Sequence, residues 1–184
     1  MSERTLDGLE LVGNALGLDF ANTVNSRVQT VHDYLATDDD LLRWAVHVGT
    51  LAETGQGRRV PVDRAWALRD AVYATFSAIA EGRRPRRSDL AALSEAYAEA
   101  TARSVLVATP AGYALTWPRP INPLWPVGRS VGELLLGADL ERIGECPGCG
   151  WLFLDTSRNG SRRWCSMATC GSRDKMARYH QRGR

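Results

Sequence analysis

Lysine is almost absent from this chain: Lys175 is the only one among 23 basic residues, so any contact with phosphate falls mainly to arginine. Abundant Ala, Gly and Arg reflect a GC-rich composition, and arginine content alone therefore says little. No apolar run approaches the length of a membrane span. The stretch from Met1 to Asp19 lacks a basic start followed by a continuous apolar segment, so a cytoplasmic protein is expected, with stable disulfides disfavoured. His32 and His47 are isolated from each other and from any carboxylate–cysteine pattern, and His180 is read as a helix-face residue rather than a fifth metal ligand. There is no nucleophile–base pair and no phosphate loop, and an enzyme is not expected. Repeats and low-complexity blocks are missing as well.

Cysteine is also scarce, but its placement is informative. All four cysteines lie in the last quarter of the chain, as Cys146-x2-Cys149-x15-Cys165-x4-Cys170. Two close pairs joined by a short loop can supply the two edges of a tetrahedral metal site. Pro147, Gly148 and Gly150 suit a tight knuckle whose amides point at thiolate sulfur. Trp151 to Leu154 reads as a short buried strand, 155–161 as a turn, and 171–182 as a helix. One structural Zn2+ is expected, closed by four thiolates and so without an open position; an iron–sulfur centre or a redox pair are the alternatives.

Charge is segregated along the chain. From residue 146 onward there are 8 basic and 2 acidic residues; residues 1–145 carry 15 basic against 19 acidic. At about 100° per residue, Lys175, Arg178 and Arg182 share one face of the final helix. Arg158, Arg162 and Arg163 add to a basic surface suited to nucleic-acid backbone. Met176, Ala177 and His180 project to another side, and Arg173 among them is expected to face the sulfurs or the Asp155 turn. Asp155, Trp164 and Arg173 are thus candidate supports of the module.

The run from Cys146 through Trp151-Leu-Phe-Leu-Asp155-Thr-Ser-Arg158-Asn159, then Ser161-Arg-Arg-Trp164-Cys165-Ser-Met167 and Cys170-Gly-Ser-Arg173-x-Lys175, resembles the CGNR zinc-finger family. Ser172 stands where the motif that names the family has asparagine, and keeps a small hydrogen-bonding side chain. Upstream, Leu16-Gly-Leu-Asp19-Phe-Ala-Asn22-Thr23 and Asp40-Leu-Leu-Arg-Trp44 are similar to the ABATE domain usually joined to this finger. The resemblance implies a bacterial, stress-responsive transcription regulator whose finger binds DNA.

The sequence predicts a mainly α protein with a small β-hairpin, an α+β arrangement ending in a treble-clef or ribbon-like four-cysteine zinc module. Residues 1–144 would be the ABATE-like helical domain, a sensor of a small-molecule or protein ligand, and 145–184 the finger. Thr37 and the acids 38–40 should start one helix, and Val62 to Ala80 should form a longer one. Ser88 is expected to cap a helix from Asp89 to Arg103. Two strands over 104–108 and 113–117 should be followed, after four prolines, by a helix from Val127. Asp19 and Asn22 are read as caps or bridges to neighbouring backbone. A single small finger gives mostly non-specific affinity, so a homodimer or second DNA-contacting surface is expected. The competing readings are a protein-interaction module with an acidic partner, and an RNA-binding protein with Trp151, Trp164 and Tyr179 as stacking groups.

Overall fold

Prolines and capping side chains set most of the helix limits. The computed structural model describes residues 6, 8–30, 32–137 and 139–182, with the side chains of 181 and 182 outside the description. Helix α1 (Leu16–Ala21) is short and buries Leu18 and Phe20. Helix α2 (Asp38–His47) opens with a reciprocal cap. Asp40 N–H donates to Thr37 Oγ1 (3.3 Å), and the Asp40 carboxylate accepts from Thr37 N–H (2.8 Å). Helix α3 (Val62–Ala80) runs between Pro61 and Gly82, the limits expected from sequence.

Helix α4 (Arg87–Arg103) begins two residues before the expected Asp89, which puts Ser88 inside the first turn rather than at the cap. The Asp89 carboxylate there accepts from Arg86 Nε (2.7 Å). Strands β1 (Val105–Thr109) and β2 (Gly112–Thr116) pair antiparallel, with Val105 opposite Thr116. Helix α5 (Leu124–Gly137) starts three residues before the expected Val127. Pro126 lies in its first turn, where a missing N–H removes no helical bond. Strands β3 (Ile143–Glu145) and β4 (Leu152–Leu154) form a second antiparallel ribbon, with Ile143 opposite Leu154. A wide turn of π geometry, Met167–Gly171, leads into helix α6 (Ser172–Arg182). No described helix is long and apolar enough to cross a membrane.

Helices α4 and α5 lie unusually close because of two glycines. A Cβ on Gly128 would stand 2.6 Å from Ala96 O, and one on Gly132 would meet the Tyr97 ring at 2.1 Å. Helix α1 sits among α5, α3 and β4. The consequence is one continuous apolar interior: Phe20, Trp44, Phe76 and Val131 belong to the same cluster as Trp151, Leu152, Phe153 and the four cysteines. Strand β3 spans the position near residue 144 where composition suggests a boundary.

Polar contacts reinforce that union of the two segments. Asn22, fully buried, acts as a one-residue strand beside β4: its Nδ2 donates to Leu152 O (2.8 Å) and its Oδ1 accepts from Leu152 N–H (2.9 Å). Leu154 N–H donates to Gly13 O (2.9 Å), and Trp151 Nε1 to Val24 O (2.7 Å). Tyr73 of α3 donates its hydroxyl to Glu145 Oε1 (3.0 Å).

Candidate functional site

The first half of the site is a backbone knuckle. Cys146 N–H donates to Trp151 O (2.8 Å), and Gly150 N–H returns to Cys146 O (2.8 Å). Gly150 takes φ of +73°, a left-handed conformation that a residue with a Cβ adopts at a cost. The knuckle is clamped from the helical side: Cys149 O accepts from Arg27 N–H (2.7 Å) and from Ser26 Oγ (3.2 Å).

Cys165 arrives through the loop after β4, and Asp155 shapes that loop. Its buried carboxylate accepts from Ser157 N–H (2.8 Å) and Arg162 N–H (2.7 Å); the Ser157 hydroxyl foremost, and then these two amides, hold it below the usual carboxylate range. Arg142, which sequence reasoning did not single out, donates to Asp155 O (3.1 Å) and Ser157 O (2.8 Å). Cys170 sits in the wide turn before α6. Ser172, the residue at the family's asparagine position, donates its hydroxyl to Met167 O (2.9 Å) and so closes that turn.

These elements bring four buried sulfurs together, all within 4.8 Å of one another. A zinc ion with Zn–S bonds of about 2.3 Å needs S···S edges of about 3.8 Å. Cys149 and Cys165 are 3.5 Å apart, far longer than a disulfide and close to such an edge. Amides of Cys165 and Gly148 are directed at the Cys146 sulfur, and that of Trp151 at Cys149. Hydrogen bonds from Cys149 and Cys165 hold the Cys146 thiol well below its ordinary value. Donating to Cys146 pushes Cys149 up to about 12, and Cys165 is pushed up by the same two neighbours. Thiols packed this closely do not ionise together without a cation, whereas a dication at their centre stabilises all four thiolates. The donor set fits one closed, structural zinc.

Of the three expected supports, Asp155 and Trp164 are built into the module, while Arg173 is an exposed side chain that reaches a ligand only with its tip. Arg173 Nη2 lies 3.8 Å from Cys170 Sγ, and Asp155 organises the loop. Trp164 packs its indole against the backbone of Gly148 and Gly171, beside the ligands. Trp151 is buried and bonded to Val24 O, which removes it as a base-stacking group.

The expected basic surface divides. Arg162 is a correction: it points inward and is no phosphate ligand. Its guanidinium donates to Val12 O (2.8 Å), Trp164 O (3.1 Å) and Cys165 O and lies 4.3 Å over the Phe153 ring. Arg158 and Arg163 are exposed, Arg163 with its guanidinium 5.1 Å from the Trp164 ring centre. Lys175 and Arg178 are exposed on α6; Arg178 is bridged to Asp174 (2.8 Å), and among the described residues Lys175 carries no ion pair. Arg182 closes α6, but its side chain lies outside the described residues.

A second correction concerns the inner face of α6. Met176 is 56% exposed and Tyr179 74%, and Ala177 and His180 are exposed too. After its first turn the helix leaves the module and stands in solvent, held at its Cys170 end.

Comparison with known proteins agrees with this arrangement. No curated protein matches the chain. The family model ABATE, described as "Putative stress-induced transcription regulator", matches residues 14–138, more than half of the 184-residue chain. The CGNR zinc finger model matches residues 142–183 and so contains all four cysteines. The centre is therefore a zinc site, and the chain belongs to the ABATE family, in an architecture that ends with a CGNR zinc finger.

Proposed function

We propose that this protein is a DNA-binding transcription regulator in which residues 145–184 contact duplex DNA and residues 1–144 sense a ligand or partner. One observation carries the reading: α6 stands clear of the body with Lys175 and Arg178 exposed, Arg163 borders the start of the helix, and Arg158 is exposed on the loop before Cys165. An isolated helix of this length is marginal in water, so a partner surface is needed to hold its outer turns. Arginine-rich and nearly free of acids, this segment has the electrostatics of a phosphate-backbone ligand. The zinc holds the helix root in place, and four thiolates leave the ion no open position for catalysis.

The test is gel-shift titration of the zinc-loaded full chain on mixed-sequence duplex DNA across a salt series. Affinity should fall steeply with salt, and each of Lys175→Ala, Arg178→Ala and Arg163→Ala should reduce the log–log slope by about 0.9 per lost phosphate contact. No shift at 50 mM salt or below would sink the proposal. The exposed Met176 and Tyr179 would then favour an acidic protein partner that also covers these two apolar side chains.

A further inference from the structure

The helical half contains a cavity of about 340 Å³, within the size range of small-molecule sites. It opens between α3, α4 and the residues leading into α5. Ala67 and Leu68 of α3, Ala96 of α4, and Leu124 and Trp125 of α5 make its apolar lining. Its polar groups are sorted by wall. Arg64 of α3 brings a guanidinium, and Glu95 and Glu99, one turn apart on α4, bring two carboxylates. Among the described residues neither Arg64 nor either glutamate takes part in an ion pair. Glu99 is positioned by Trp125, whose Nε1 donates to Glu99 Oε1 (3.0 Å).

Asn122 adds a neutral donor to the lining. It is 5% exposed as a residue, lines the cavity, and uses its Oδ1 to accept Leu124 N–H (2.9 Å), while its Nδ2 has no acceptor among the described residues and stays open to solvent. Water can satisfy that donor, and a ligand oxygen can replace the water without breaking any bond within the protein. The loop that carries Asn122 is fixed on its N-terminal side: Ile121 N–H donates to Gln56 O (3.0 Å) and Ile121 O accepts from Arg58 N–H (2.7 Å). The wall opposite α3 is equally firm, since Ala96 lies against the Gly128 backbone.

Resting on the sensor reading above, we propose that this cavity binds a zwitterion with an apolar side chain, of the amino-acid class. The ligand's carboxylate is taken by Arg64 and the free Asn122 amide, its ammonium by Glu95 and Glu99, and its side chain by Leu68, Leu124 and Trp125. One cationic wall, one anionic wall and an apolar floor match that ligand, whereas a simple acid or amine would leave one wall unanswered.

The experiment is titration of the zinc-loaded full chain with L-leucine and L-phenylalanine, followed by calorimetry and by the indole N–H resonance of Trp125. N-acetyl-phenylalanine, which lacks the ammonium, and phenylalanine amide, which lacks the carboxylate, are the comparison ligands. Saturable binding of the free amino acids is expected, with each capped form weaker by about tenfold or more. Asn122→Asp keeps the oxygen that accepts Leu124 N–H and removes the donor, and it should lower affinity at least tenfold. The exposed Glu95→Gln should selectively narrow the gap between phenylalanine and its acetyl derivative while the circular dichroism spectrum stays unchanged. No saturable binding of either amino acid, or equal binding of free and capped forms, overturns the assignment. Gel shifts are scored separately, so a failure here leaves the DNA reading standing, and a failure there leaves this one.

Discussion

Replacing Asn22 by alanine tests how much one buried amide contributes to holding the finger on the helical domain. The side chain satisfies both backbone groups of Leu152, and both residues are fully buried. Truncation leaves one N–H and one C=O unpaired, each costing about 1–3 kcal/mol, and so about 2–6 kcal/mol together. For a chain of this size that corresponds to a melting temperature lower by about 5–15 °C. Thermal melts of the zinc-loaded protein, followed by circular dichroism, read this directly. Asn22→Asp sharpens the test. Its carboxyl can donate to Leu152 O only when protonated, and burial among apolar neighbours raises its folded pKa above the unfolded value near 3.9. The variant should therefore be most stable below about pH 4 and lose stability as pH rises through the folded pKa. A fall of less than 2 °C for the alanine variant, or an aspartate variant whose melting ignores pH, would refute the reasoning.

Metal analysis of protein purified without added metal should give about one zinc per chain and little iron, and Cys170→Ser should lower both zinc content and thermal stability. Arg162→Ala should destabilise the fold by about 2–4 kcal/mol in denaturant unfolding, because the carbonyls of Val12, Trp164 and Cys165 lose a charged donor. Arg158→Ala should leave that midpoint unchanged. Asp19, raised by burial to about 6 against a model-compound value of 3.8, opposes folding once ionised. Its contribution is favourable below about pH 4 and is lost as pH rises through about 6, by roughly 1–3 kcal/mol after allowance for partial exposure. Asp19→Asn keeps the acceptor for Gly13 N–H and should abolish that slope in unfolding curves measured from pH 4 to 7.

What could be read from the sequence was local in origin. The cysteine spacing, the Thr37 cap and the breakers around α3 act over a few residues, and the structure follows them. Arg173, expected to face inward, touches Cys170 Sγ with one nitrogen but is itself exposed. Arg162 was misjudged because its direction is set by acceptors on Val12, 150 positions away in the chain, and by the Phe153 ring. Asn22 and Asp19 were rightly read as partners of backbone, but nothing in their spacing shows that the backbone bound by Asn22 belongs to the finger. The exposed underside of α6 was hidden for a different reason. Periodicity reports that a helix has two kinds of face, and only packing decides whether either one is covered.

On the proposed DNA-binding reading, the close seating of the finger on α1 has a consequence for geometry. With the zinc knuckle clamped by Arg27 and Ser26 and with β4 paired to Asn22, α6 takes its direction from the body of the protein rather than from a swinging tether. In a two-fold pair of such chains the distance between basic helices would be dictated by the dimer contact alone. Operators would then be distinguished by the spacing of their half-sites, and inserting or deleting a base pair between them would rotate one helix out of its groove.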